Sequence, residues 1–300
     1  MIVLFIFMLI GYYAAVKGVL DEKTSKNLSW IIVNVANPAM IISGSMGDSG
    51  ISTKELFFIL LLACGLFAFM IIISFIIPAV FRVSDKEAGV YKVMTVFSNI
   101  GFMGFPLIKA LYGADALIYA TPFMIVFNIL VYTFGISALS GKGTESEGGR
   151  GTNIRKVFNI GVISCILSMI IALTGFRVPY IPSAVINSLS DATLPLSMIV
   201  IGASMKGMNM KKLVSDRMLL VFSALKLLIL PVIILMILKI FIKDDILLRI
   251  SMIMLATPAG SMTVMLAQQY DGDSGLAARG VVLTTLLSVI TIPVVSAIVF

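Results

Sequence analysis

The sequence contains no histidine. That absence removes imidazole bases, HExxH zinc sites and Ser-His triads together. Charge is also scarce, with 12% of the 300 residues charged where a soluble domain carries about 25%. The two cysteines, Cys64 and Cys165, make no CxxC pair and lie inside apolar runs, so they read as packing residues. No Walker-type glycine loop is present, so the chain does not itself hydrolyse ATP. The net charge of +7 is not gathered into a basic cluster interleaved with aromatics, which argues against nucleic-acid binding.

What the chain has instead is hydrocarbon. It is 59% apolar with a mean hydropathy of +1.09, and several runs approach the ~20 residues that cross a bilayer. This composition is that of an all-α polytopic membrane protein. Ten segments are expected near 1–16, 26–46, 55–80, 88–112, 115–139, 154–174, 184–205, 214–239, 246–270 and 275–299. The start, "MIVLFIFMLIGYYAAV", lacks the positive charge and cleavage site of a signal peptide. It is short for a span, so the natural start of the chain can lie upstream.

The polar stretch "SGKGTESEGGRGT" (140–152) separates two sets of five segments and reads as a mobile linker. The expected organisation is a first repeat over 1–139, a linker over 140–153 and a second repeat over 154–300. Shifting the chain by 158 residues aligns Ile41 with Ile199, Gly44 with Gly202, Lys54 with Lys212, Tyr112 with Tyr270 and Asp115 with Asp273. Five spans is an odd number, so the second half enters the membrane from the opposite side, a build that secondary transporters use. The loops after spans one, three, five, seven and nine hold 15 of the 22 Lys and Arg. The positive-inside rule makes that face cytoplasmic. Both termini are then extracytoplasmic, the linker 140–152 is cytoplasmic, and the expected location is the cell membrane.

Two segments are interrupted in mid-span, by "SNIGFMGFPL" (98–107) in the fourth and "LATPAGSMTV" (255–264) in the ninth. Proline in a helix interior costs about 3 kcal/mol. Non-helical backbone at membrane depth survives only where protein buries it or where it lines a wet cavity. A single proline reads as a kink in a packed helix, and Pro78, Pro122, Pro231 and Pro293 are assigned to kinks or helix ends. The paired interruptions at Pro106 and Pro258 read as one shared central cavity. Each broken helix presents free N–H groups carrying about half a positive charge. Two such ends form an anion site without an arginine. The candidate binding residues are Asn99, Gly101, Gly104, Pro106, Thr257, Pro258, Gly260 and Ser261, with Asn37 beside Pro38 on span two.

At these residues the sequence resembles the auxin efflux carrier family, which includes the plant PIN carriers and bacterial permeases for small organic acids. The resemblance is carried by "SNIGFMGFPLIKALYG" (98–113), "SLSDATLPLSMIVIGASM" (188–205) and "ATPAGSMTVMLAQQYDGD" (256–273). It implies ten helices in a fold similar to sodium/proton antiporters and bile-acid transporters, with a scaffold and an elevator-like moving part. Asn99 and Pro106 would map to the fourth-span crossover and Pro258 to the ninth-span one. The long cytoplasmic loop of many plant carriers is replaced here by a short linker.

Three further polar residues stay open. Lys226, about 12 residues into span eight, is either a substrate counter-charge or a structural partner for a carbonyl or carboxylate. Asp191 is either a cavity-facing carboxylate that takes a proton or cation, or an exposed helix cap. Asn128 in span five is either a coupling residue or an amide bonded to its neighbours. No cofactor, metal or catalytic residue is expected. The reading is a secondary active or potential-driven carrier of a small organic anion, a mono- or dicarboxylate with auxin-like acids included. The alternative is a receptor or sensor that binds the same ligand without moving it. The coupling ion, proton or sodium, and a homodimer are left open.

Overall fold

The computed structural model describes residues 2–46, 51–139, 160–206, 213, 215–270 and 272–300. The linker 140–152 and Lys212 of the repeat alignment lie outside the described residues.

The helices follow the apolar runs. In chain order they are α1 (Ile2–Val16), α2 (Glu22–Ile31), α3 (Asn37–Ser43), α4 (Thr53–Phe81), α5 (Asp85–Val96), α6 (Phe105–Tyr112), α7 (Leu117–Leu130), α8 (Ile136–Leu139), α9 (Ile160–Thr174), α10 (Tyr180–Ser204), α11 (Arg217–Ala224), α12 (Leu230–Phe241), α13 (Asp245–Ala256), α14 (Met262–Gln269) and α15 (Ser274–Val299). Five helical stretches are long and apolar enough to cross a bilayer: Thr53–Phe81, Leu117–Leu139, Tyr180–Ser204, Arg217–Phe241 and Ser274–Val299. Shorter apolar helices accompany them. The protein is therefore an all-helical, multi-pass membrane protein.

Several of the scarce acids are spent on helix starts. Glu55 closes a capping box with Ser52 and Glu87 another with Ser84. The Asp21, Asp216, Asp244 and Asp273 side chains accept backbone N–H bonds at the starts of α2, α11, α13 and α15. The side-chain and backbone hydrogen bonds of Thr24 hold the Asp21 carboxyl below its ordinary range. Each cap relieves donors that the first helical turn leaves unpaired.

Prolines shape the interiors in two ways. Pro78, Pro122, Pro195 and Pro293 are carried inside α-helices. Before Pro38, Pro106 and Pro231 the helix instead widens into a π-turn, at π1 (Ile32–Ala36), π2 (Ile100–Gly104) and π4 (Leu225–Ile229). The N–H groups of Asn37, Phe105 and Leu230 then reach back five residues, to the carbonyls of Ile32, Ile100 and Leu225. A proline ring crowds the carbonyl of the turn before it, and a wider turn swings that carbonyl aside. A further π-turn, π3 (Val131–Gly135), joins α7 to α8 with no proline behind it.

The packing sorts the helices into two groups. In the first, α10 packs on α1, α2 and α3, and α9 packs on α3. In the second, α5 packs on α4 and α15, α7 on α4, and α15 on α11 to α14. The seam between the groups is formed by α9 against α7, α10 against π2 and α6, and α3 against α7. In the first group α1 and α10 touch backbone to backbone. A Cβ added at Gly11 would land on the Ile199 carbonyl, and one at Gly202 would land on the Met8 carbonyl. Gly65, on α4, faces open space. Replacing Gly202 by Leu is therefore expected to abolish a monodisperse elution profile in detergent. Gly65→Leu is expected to elute as the wild type does, and equal behaviour of the two variants would refute the contact.

Candidate functional site

Helix α5 stops at Val96 and α13 at Ala256, each followed by extended backbone. The two unwound stretches lie against each other as an antiparallel bridge between Ser98 and Ala259. Asn99 N–H donates to the Pro258 carbonyl at 2.7 Å, and Gly260 N–H donates to the Phe97 carbonyl at 2.8 Å. Gly260 suits this approach, since a Cβ there would sit 3.2 Å from both the Phe97 and Ser98 carbonyl oxygens, a tight contact. Two donors that a helix would have paired within itself are thus paired across the break.

Side chains from neighbouring helices finish the crossing. Thr284 Oγ1, on α15, accepts from Ala259 N–H at 3.1 Å and donates to the Gly280 carbonyl at 2.7 Å. Lys226, fully buried on π4, donates from Nζ to the Thr95 carbonyl at 2.8 Å and to Ser98 Oγ at 2.7 Å. Of the alternatives weighed for Lys226, the contact seen is with a carbonyl and a hydroxyl. Asn99 Oδ1 accepts from Phe102 N–H at 3.3 Å, capping π2. Thr257 Oγ1 lies 3.4 Å from the Met254 carbonyl, at the end of α13.

Of the sequence-derived candidates, Asn99, Pro258 and Gly260 take part in the bridge itself. Gly104, Pro106 and Thr257 are buried and Gly101 and Ser261 half-buried, but Pro106 stands past π2 at the start of α6 rather than at the bridge, where the resemblance would put it. Asn37 joins from the first helix group. Its Nδ2 lies 3.6 Å from where a Cβ would stand at Gly101, and its buried Oδ1 has no hydrogen-bond partner among the described residues. Asn128 is buried, and its Nδ2 donates to the Met124 carbonyl of its own helix at 2.8 Å.

Asp191 needs a correction. It is not a helix cap, because α10 begins eleven residues earlier at Tyr180. It stands exposed on the helix side and pairs with Lys109 at 2.7 Å. Lys109 Nζ also donates to Ser190 Oγ at 2.6 Å, and Ser190 is bonded to Ser43 Oγ at 2.9 Å. This polar cluster ties α6 of the second group to α3 and α10 of the first. The sequence reading passed over Lys109, Ser98 and Thr284. The available signal for Lys109 was a charge three residues beyond Pro106 within an apolar run.

One small hollow, about 20 Å³, reaches the crossing between Ser98, Ile100, Phe67, Phe123 and Met254, which is room for a single water. A larger hollow, about 220 Å³, lies at the ends of α4, α7 and α12. Its carboxylates are engaged in helix caps, Glu55 with Ser52 and Asp244 with Ile246 and Leu247.

A helical membrane bundle holding two broken helices, each stabilised by the other's unwound backbone, has the build of a transport protein. The family model described as membrane transport protein matches residues 1–296. The chain belongs to that family, the auxin efflux carrier family. An uncharacterized transporter of Methanocaldococcus jannaschii is 26% identical over 97% of this chain and 95% of its own length. An uncharacterized transporter of Methanothermobacter thermautotrophicus is 25% identical over 96% of this chain and 93% of its own length. The protein is a membrane transporter and not an enzyme.

The crossing's dependence on Thr284 can be measured. Thr284→Val leaves the buried Ala259 N–H without an acceptor, a loss of about 1–3 kcal/mol. Thr285 only donates to the Val281 carbonyl of its own helix, so Thr285→Val is expected to change thermal stability far less. Equal melting temperatures for the two variants would contradict the bond.

Proposed function

We propose that the protein is a carrier of a small organic anion, a mono- or dicarboxylate, bound at the crossing of the two broken helices. The observation that carries this reading is the backbone pairing of the two breaks, Asn99 to Pro258 and Gly260 to Phe97. Each break is followed within two or three residues by a helix start, π2 at Ile100 and α14 at Met262, and helix starts attract negative charge. Asn37, Asn99, Thr257 and Ser261 supply uncharged polar groups that orient a carboxylate. The unpaired Oδ1 of Asn37 supports a polar guest, since a buried acceptor without a donor is costly.

The proposed frame is ten spans in two inverted halves of five, with both termini extracytoplasmic and residues 140–152 cytoplasmic. The helix grouping supports an elevator-like cycle, in which α4 to α8 and α11 to α15 travel against α1, α2, α3, α9 and α10. The Lys109 contact with Ser190 and Asp191 crosses that seam, so it must part for the groups to slide. A single charge moved down a potential of 100 mV yields about 2.3 kcal/mol, enough to drive an anion without any ion partner.

The test is uptake of labelled mono- and dicarboxylates by liposomes holding the purified protein. Asn99→Ala is expected to reduce uptake by about tenfold or more, the worth of one charge-assisted hydrogen bond, with helicity unchanged. Undiminished uptake would remove Asn99 from the site, and saturable binding without flux at any gradient would make the protein a receptor.

Orientation has its own test. A single cysteine placed within 140–152 is expected to react with a membrane-impermeant maleimide in inverted vesicles and not in intact cells. Labelling of intact cells would invert the proposed topology.

A further inference from the structure

A hydrogen-bond chain crosses the seam between the two helix groups, and proton counting fixes the direction of each bond in it. The Ser43 hydroxyl gives its one proton to the Met40 carbonyl at 2.8 Å. The Ser43–Ser190 contact at 2.9 Å is therefore donated by Ser190, and Ser190 Oγ is left to accept from Lys109 Nζ at 2.6 Å. Both serines are buried. Lys109 belongs to α6 of the second group, whereas α3 and α10 of the first carry the serines. The ammonium also reaches Asp191 Oδ1 at 2.7 Å, on a side chain that is 73% exposed. The buried arm is the stronger of the two, since hydrogen bonds to charged groups outweigh exposed ion pairs.

The counterpart positions in the other half cannot build such a chain. The 158-residue shift that pairs the halves sets Lys109 on Ala267 and Ser43 on Ile201, and neither side chain can donate or accept. In an inverted-repeat carrier the opposite state brings the counterpart positions together. A contact made in one state alone shifts the two populations by its full worth. We propose that Lys109, Ser190, Ser43 and Asp191 form a one-sided latch, which holds the substrate-free carrier in the orientation seen here and opens at each turnover. The inference rests on the inverted-repeat carrier reading and names what sets its resting state. When the groups slide, Ser190 and Ser43 stay bonded to each other within the first group. The cost of opening therefore falls on the Lys109 ammonium, which leaves both of its partners behind.

Spin labels can read the two orientations without any ligand. Ile181→Cys on α10 and Ile240→Cys on α12 place one label on each group, at positions that are both 75% exposed, in a background carrying Cys64→Ser and Cys165→Ala. Electron–electron distance measurements on this protein in liposomes are expected to give one dominant distance. Lys109→Met is expected to raise the population of a second distance about tenfold. Asp191→Asn, which leaves the buried arm in place, is expected to raise it about threefold. The charge swap of Lys109→Asp with Asp191→Lys rebuilds a pair across the seam and is expected to lower the second population again, which a packing role for Lys109 would not do. Wild-type distances in Lys109→Met and Asp191→Asn would overturn the latch, as would a swap that keeps the Lys109→Met distribution. Where Lys109→Met does not purify as a single species, Asp191→Asn decides alone: a gained second distance supports the latch and an unchanged distribution ends it. Absence of uptake for every labelled acid would defeat the substrate reading and leave the spin-label result standing. Unchanged distances beside normal uptake would defeat the latch alone.

Discussion

A peptide N–H surrounded by hydrocarbon must find its acceptor inside the protein, and at the crossing the acceptor is the other broken helix. The pairing of Asn99 with Pro258 and of Gly260 with Phe97 is reciprocal. Leaving such groups unpaired in a lipid core costs several kcal/mol apiece. Neither break is therefore tolerable alone. Thr284 and Lys226 extend the same logic to the Ala259 N–H and the Thr95 carbonyl. What looks in sequence like two defects is one structural unit with donors and acceptors matched across it.

Proline enters this unit through the width of the helix before it. At Pro38, Pro106 and Pro231 the preceding turn opens to the five-residue pattern. These are the turns that carry or adjoin Asn37, Asn99 with Gly101 and Gly104, and Lys226. A wider turn changes the direction in which its side chains leave the helix. On π4 the side chain so carried, Lys226, reaches the Thr95 carbonyl and Ser98 Oγ beside the break.

Much of this was legible in the residues. Lipid-scale apolar runs and the glycine and proline content of 98–107 and 255–264 state the class and the two breaks. Asn99, Pro258 and Gly260 pair through their backbone, whereas Pro106 lies beyond the following π-turn, at the start of α6. Other features depend on facts that no single run contains. Lys226 reads equally well as a counter-charge until the Thr95 carbonyl is seen beside it, because that partner is 131 residues away. Asp191 reads either as a cap or as a cavity-facing carboxylate until α10 is seen to start at Tyr180, since helix starts in apolar sequence leave only weak marks. Pro231 resembles the kinks at Pro78 and Pro293 in sequence, and only the backbone shows that its turn is wider.

The glycine contact of α1 with α10 bears on mechanics. Side chains between helices act as compressible spacers, and rotamer changes let one helix creep along another. Where Gly11 meets Ile199 and Gly202 meets Met8 there is only peptide on peptide, which gives such creep no cushion. That pair is accordingly the stiffest joint of its helix group, a natural stator: on the carrier reading, displacement during a cycle is confined to the seam and the joint keeps its shape throughout.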